Sequence, residues 1–299
     1  MKCLVTGGAG FIGSNLVDKL LEIGHEVIVI DNEYSDAHEQ FYWNEKAENY
    51  KLDIRDYENT RNLYSNVDCV FHIAAESRIQ PAIKNPIEAV SINLVGTATV
   101  LQCSREANVK RVIYSSTSSA YGRNATPNVE TQPDDCLNPY SVSKVSGEKL
   151  CLMYTELFGL NTVIFRYFNV YGERQPTKGQ YAPIVGLFLK QAKCKESLTI
   201  VGDGEQRRDF THVSDAVMAN VLAATADIPQ EAFGTVYNIG NGVNYSVKEI
   251  ANMISENQTN VPPRLGESKE TLANNSKFKN MFGWDPKVSI SDWISKNKD

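Results

Sequence analysis

The sequence predicts an α/β protein, a doubly wound parallel sheet covered by helices on both faces and followed by a smaller C-terminal α/β lobe. Two observations carry this expectation. Short, continuous apolar runs alternate with helical stretches through the first half of the 299 residues, as strands buried on both faces require. A glycine-rich turn joins the first such run to the first helix, where open sheets of this type bind ligands.

The elements follow in order. Residues 2–6 read as a strand and 11–21 as a helix, with Phe11, Ile12, Leu16, Leu20 and Leu21 at helical spacing. Residues 27–30, 69–73, 111–115 and 162–165 are further buried strands, and 87–106 and 140–157 are the long helices between them. The stretch 32–49 is polar and dotted with aromatics, and its residues suggest no function. After about Arg166 the connections lengthen and fill with Gly, Pro and charge, leaving helices at 214–224 and 247–256 and short strands. The expected division is a sheet domain over 1–168 that carries the glycine turn and a smaller lobe over 169–299, with some later segments returning to the sheet. There is no linker-like stretch and no internal repeat.

Composition narrows the function classes. A hydrophobic content of 42%, 22% charged residues and a net charge of −6 describe a globular chain, not a disordered one. No run of Lys and Arg supplies a phosphate-binding stripe, so a nucleic-acid partner is not expected. The six cysteines form no C-x-x-C pair and the four histidines are scattered, so neither a metal site nor a disulfide framework is expected. Met1 leads straight into strand and glycine loop, and no apolar run approaches a membrane span. The expected setting is cytoplasmic, with no membrane contact.

The glycine turn reads Thr6-Gly7-Gly8-Ala9-Gly10-Phe11-Ile12-Gly13. Gly7 allows the tight turn, Gly10 lets backbone approach a pyrophosphate, and Gly13 permits close helix–strand packing. The helix that follows offers free N–H groups and its positive dipole end to phosphates. Asp31 comes 18 residues after Gly13, at the end of the second strand. An acid there accepts hydrogen bonds from both ribose hydroxyls and repels a 2′-phosphate, which favours NAD over NADP.

Tyr140-Ser141-Val142-Ser143-Lys144 opens a predicted helix. Residues four apart share a helical face, so phenol and ammonium project together. A cation beside a phenol favours phenolate and lowers its pKa. Tyr140 is thereby a candidate general base, Lys144 its electrostatic support and a hold on the nicotinamide ribose. The loop Ser116-Thr117-Ser118-Ser119-Ala120-Tyr121-Gly122 leaves the carboxyl end of a predicted strand, where the Thr117 hydroxyl would share the substrate proton. Taken alone, a Y-x-x-x-K spacing usually marks a solvated helix face, and a Ser/Thr run ordinary turn chemistry. Position relative to the glycine loop gives both their weight.

With these motifs together, the chain resembles the extended short-chain dehydrogenase/reductase family over essentially its whole length, and within it the nucleotide-sugar 4-epimerases. The resemblance implies NAD as cofactor, a UDP-sugar as substrate and a Rossmann-type fold. It places Phe11, Ile12, Asn32, Asp53, Ile54, Ala74, Ala75, Asn93 and Tyr167 against the cofactor, beside Gly7, Gly10, Gly13, Asp31, Tyr140 and Lys144. The Asp53-Ile54 pair answers to the family's adenine contact, and His72-Ile73-Ala74-Ala75 to its turn along the cofactor, with His72 itself read as a core histidine. For substrate, the resemblance implies Ser77, Thr117, Asn169, Arg208, Arg264 and Thr271. Arg208 and Arg264 would clamp the diphosphate with Asn169, since planar guanidiniums bind phosphate oxygens in pairs. Residues 198–200 would line the uracil slot through their backbone.

The resemblance also bears on the reaction. Related dehydratases and decarboxylases carry an acid just after the catalytic Thr; here Thr117 is followed by Ser118 and Ser119, which argues for epimerisation at C4. Thr271 falls where related epimerases place a residue near the sugar C2 substituent, and its small size leaves room for an N-acetyl group. Asn274 stands where the family pattern has Asp, and residues 293–299 end earlier than the pattern leads one to expect. The helices 87–106 and 140–157 resemble the pair that forms the family's four-helix dimer interface, so a homodimer is expected. Competing readings are a UDP-glucuronate 4-epimerase, another nucleotide-sugar dehydratase or decarboxylase, a free-sugar dehydrogenase, and a non-catalytic NAD-binding protein. Paired arginines speak against a free sugar, and an intact Tyr140/Lys144 pair against lost chemistry.

Overall fold

The computed structural model describes residues 1–179 and 182–298; Gln180, Tyr181 and Asp299, all within the predicted second lobe, lie outside the described residues. Seven strands form the main sheet: β1 (Lys2–Thr6), β2 (Glu26–Asp31), β3 (Glu48–Lys51), β4 (Cys69–His72), β5 (Arg111–Thr117), β6 (Thr162–Tyr167) and β7 (Thr235–Ile239). Their order across the sheet is β3-β2-β1-β4-β5-β6-β7, with every neighbouring pair parallel. This is a Rossmann-type arrangement. The chain reverses its direction of winding between β1 and β4, and a crevice opens there at the carboxyl ends.

Strand alternation builds two cores from one sheet. On β1, Cys3 and Val5 face one side, where they join Leu16, Val17 and Leu20 of the helix Phe11–Glu22 and Val213, Ala216 and Val217 of the helix Val213–Thr225. Leu4 faces the other side, with Ile28, Val70, Val100, Val112, Tyr114 and Cys151. That second face is covered by the long helix Pro139–Phe158 and by a continuous helical run, Pro86–Val90, Ser91–Val95 and Gly96–Glu106. The middle piece is a π turn, a widening that the apolar periodicity of 87–106 does not disclose.

The second lobe has its own core of Tyr171, Phe188, Leu198, Ile200, Phe210, Ile250, Ile290 and Ile294. Three two-stranded pieces frame it: Val170–Tyr171 with Thr211–His212, Arg207–Asp209 with Asn244–Ser246, and Leu198–Val201 with Gln258–Val261. β7 leaves this lobe to become an edge of the main sheet. The stretch 32–49 is no simple insertion: its end enters β3, and its earlier part crosses the mouth of the cleft described below. No helix among the described residues is long and apolar enough to cross a membrane.

Candidate active site

A cleft of about 470 Å³ runs along the carboxyl ends of the main sheet and into the second lobe. Gly7 sits at its floor with φ +70°, and a Cβ there would lie 2.8 Å from the Ala74 amide nitrogen. A Cβ on Gly13 would lie 2.1 Å from the Gly7 carbonyl oxygen. Both glycines are therefore demanded by the protein's own packing. Gly10 is different. A Cβ there would meet nothing closer than 3.4 Å, yet the residue lines the cleft. Its missing side chain leaves room on the cleft side, not the protein side. No side chain caps the helix that starts at Phe11, so its first N–H groups are left for a ligand. This cradle fits the diphosphate of a dinucleotide.

Phe11, Ile12, Asp31, Asn32, Asp53, Ile54, Ala74 and Ala75 all line the same end of the cleft. The Asp31 carboxylate accepts the Ala9 N–H at 3.1 Å and the Glu33 N–H at 2.8 Å, which fixes it at the strand end. Burial is the largest influence on it and raises its pKa against those two bonds. Asp53 accepts from Asn32 Nδ2 and from Arg55 Nε and Nη2; Arg55 is the chief reason its carboxyl is held below the ordinary range. These residues can hold the adenosine half of NAD.

Asn93 stands apart from the other predicted cofactor residues. It does not line the cleft and is 1% exposed. Its amide oxygen accepts the Glu76 N–H, while Nδ2 donates to the Glu76 carbonyl and to Ser143 Oγ. These three bonds tie the 76 backbone to the helix that carries Tyr140. It sits in the π turn at 91–95.

At the sheet's centre, Thr117, Tyr140, Lys144 and Tyr167 line the cleft together. Tyr140 and Lys144 stand one turn apart on the helix Pro139–Phe158. Asn138 caps that helix by accepting the Ser141 N–H at 2.8 Å, and Ser141 returns the bond to the cap. Pro139 fits the first turn, and Gly159 ends the helix at φ +70°. The phenolate expected of Tyr140 from sequence does not arise from the protein groups. Burial pushes its phenol up to about 12, while a hydrogen bond with Thr117 pulls it down and Glu76 pushes it further up. Burial likewise pushes Lys144 down to about 7. Sharing a helical face puts both groups in the same dry pocket, and burial is the largest influence on each. His72, on β4, is a buried core histidine bonded to Thr6 Oγ1 at 2.8 Å and Thr97 Oγ1 at 2.9 Å.

The second lobe supplies the far end. Asn169, Arg208, Arg264 and Thr271 line the cleft, as do Ser77, Thr199 and Val201. Asn169 has φ +25° and donates Nδ2 to the Asp209 carbonyl at 3.0 Å. The Asp209 side chain accepts three backbone N–H groups, from Asn241, Gly242 and Ala273. Glu267 lies between the two arginines, 3.6 Å from Arg208 and 4.0 Å from Arg264. Two guanidiniums facing one cleft are suited to a diphosphate. Burial is the main influence on Arg208 and lowers its pKa, with Glu267 opposing.

Several cleft residues escaped sequence reasoning. Tyr34, Ser35, Ala37, His38 and Phe41, from the stretch without a function, roof the cofactor end. Asn138 also lines the cleft and donates to the Gly266 carbonyl at 2.8 Å, joining the two lobes. The Asn-Pro pair before Tyr140 was a legible helix-start signal for it; the roof residues had none.

Residues 3–240 match the family model described as the NAD dependent epimerase/dehydratase family. A putative UDP-glucose 4-epimerase of Methanocaldococcus jannaschii is 34% identical, over 98% of this chain and 96% of that protein. A UDP-N-acetyl-alpha-D-glucosaminuronate decarboxylase of Bacillus cytotoxicus is 37% identical, over 85% of this chain and 79% of its own length. The crystal structure of UDP-glucose 4-epimerase with UDP-glucose from Thermotoga maritima superimposes with a TM-score of 0.93 at 34% identity, covering 100% of this chain and 97% of that one.

Proposed function

We propose that this chain, which belongs to the NAD dependent epimerase/dehydratase family, inverts C4 of a UDP-hexose through a transient 4-keto sugar, with UDP-glucose and UDP-galactose as its basic pair. One observation carries the reading. Thr117, Tyr140 and Lys144 converge on a cleft whose lining carboxylates, among the described residues, are Asp31 and Asp53 at the cofactor end and Glu267 between the arginines. No lining acid stands beside Thr117 to drive elimination or decarboxylation.

The chemistry that NAD supplies when bound is acceptance and return of a hydride at sugar C4. Tyr140 Oη takes the proton of the C4 hydroxyl, and Thr117 Oγ1, which lines the same part of the cleft, steadies the carbonyl oxygen. Lys144, in its charged form, would oppose the burial that pushes the phenol up, and a bound oxidised cofactor would add to it. Arg208, Arg264 and Asn169 keep hold of the diphosphate while the keto sugar turns its other face. Net redox is zero and the cofactor stays in place.

Ser77 and Thr271 lie at the sugar end in this reading. Thr271 is short and 4% exposed, within 3.5 Å of Asn169 Nδ2, so an N-acetyl group at C2 is also accepted. Thr271→Tyr is expected to abolish turnover of UDP-GalNAc while sparing UDP-galactose; equal loss on both would reject this part. The protein acts as a homodimer in the same proposal. Its exposed apolar side chains concentrate on the helix pair beneath the cleft, with Ile87, Val95, Val142 and Leu157 between 48% and 83% exposed.

The test is product analysis of the pure protein with UDP-galactose and UDP-GalNAc separately, without added reductant. UDP-glucose and UDP-GlcNAc are expected, with no net NADH. Turnover of UDP-glucuronate alone would move the reading to a uronate epimerase.

A further inference from the structure

Behind the cleft lies a buried charge cluster that the reaction as written does not use. Glu148 follows Lys144 by four residues on the same helix, so the two share one face. Its side chain is 3% exposed and takes both Nε and Nη2 of Arg166, at 2.9 and 2.6 Å. Arg166 Nη2 also reaches Asp134 at 2.6 Å, and its guanidinium stacks 4.7 Å from the Tyr121 ring centroid. Ser116 Oγ donates to the same Glu148 carboxylate. Ser116 is the register partner of Arg166 across β5 and β6, and it immediately precedes Thr117.

We propose that Glu148 and Arg166 are a positioning pair for the reaction: one carboxylate anchors the strand end that carries Thr117 and provides the nearest anion to Lys144, while Arg166 balances it. The inference rests on the reading of Thr117, Tyr140 and Lys144 given above. Removing a buried pair of this kind often costs little stability, whereas breaking it is costly, so packing alone does not call for it. The other groups facing Lys144 supply no anion at neutral pH. They are the Tyr114 ring of β5 at 4.3 Å, His72 of β4, and Tyr140 and Cys151 of its own helix, both thiol and phenol held neutral by burial. Glu148 is the one carboxylate among the groups that raise Lys144 against its burial.

The two partners then act on Lys144 with opposite sign. Glu148→Gln removes the anion behind the ammonium and leaves Arg166 with Asp134 alone, and Arg166→Met leaves the Glu148 carboxylate without its guanidinium. The experiment follows the Lys144 titration directly, by nuclear magnetic resonance of the NAD-loaded protein carrying 13Cε-lysine, with the signal assigned by its loss in Lys144→Met. Glu148→Gln is expected to move the midpoint down by about one pH unit, and Arg166→Met to move it up by a similar amount. The double variant, which removes both charges and guards against misfolding of either single one, is expected to restore the midpoint to within about half a unit. The alkaline limb of kcat/KM for UDP-galactose should move in parallel. Shifts of the same sign in both single variants, or none in either, overturn the pair even where the wild type epimerises. Opposite shifts in a wild type that turns over no UDP-hexose uphold the pair and sink the proposed reaction instead.

Discussion

Lys144 lines the cleft and is buried, at a cost to its charged form. Burial lowers it to about 7, while the unfolded chain keeps the ordinary value of 10.5. Between these values the unfolded state binds more protons than the folded one, so this group's penalty is full below pH 7 and fades as pH rises to 10.5. Lys144→Met should therefore be more stable than the wild type at pH 6 in denaturant titration, by an amount on the order of a few kcal/mol, and the gap should close towards pH 10. Tyr140→Phe keeps the ring and loses the proton acceptor; we expect kcat to fall by about 10²- to 10⁴-fold with the fold intact. Asp209→Asn sets an amide against three backbone N–H donors, at an expected cost of about 1–3 kcal/mol in denaturant titration. At this scale the sequence disclosed residue types and spacing, which suffice for Gly7, Asp31 and Tyr140. It did not disclose the bonds of Asn93 to Glu76 and Ser143, because a motif match carries no information about distant partners.

At the scale of elements, the helix Pro139–Phe158 does most of the positioning, and its start is fixed by Asn138. Asn138→Ala removes both the cap and the bond to the Gly266 carbonyl; a loss of about 1 kcal/mol is expected from the cap alone. A weaker hold on UDP-sugar, seen as a raised KM, should accompany it, because Arg264 sits two residues from Gly266. The roof over the cofactor is the second such element. Its Ala37 carbonyl accepts the Lys178 N–H at 3.1 Å, Glu39 pairs with Lys190, and Asp36 meets Arg78 at 2.6 Å. These bonds tie the stretch after β2 to the second lobe and to the segment after β4. Arg78→Ala is expected to raise the rate of NAD loss on gel filtration severalfold, more so at low salt, where the exposed pair contributes most. Strand and helix periodicity located most elements to within a few residues. The roof was missed because a loop held by backbone bonds to distant segments has no period to read.

Over the whole molecule, two lobes with separate cores share one cleft, and β7 and the helix Val213–Thr225 stitch the second lobe's chain back onto the main sheet. The proposed dimer face is a property of this scale, since exposed apolar side chains on neighbouring helices matter only once the helices are side by side. Ile87→Glu with Leu157→Glu should yield a monomer by sedimentation velocity if that face pairs, and no change would exclude it. By itself the sequence determined the parallel α/β sheet, the dinucleotide loop and its acid, and the Thr–Tyr–Lys set, because each depends on local periodicity or on short, fixed spacing along one element. The tertiary structure alone decided which distant groups meet: Glu148 with Arg166 and Ser116, Glu267 between Arg208 and Arg264, and the roof over the cofactor. It also decided that Tyr140 and Lys144 are shifted by burial more than by each other. Desolvation is a sum over everything packed around a group, and a linear chain does not show what will be packed there.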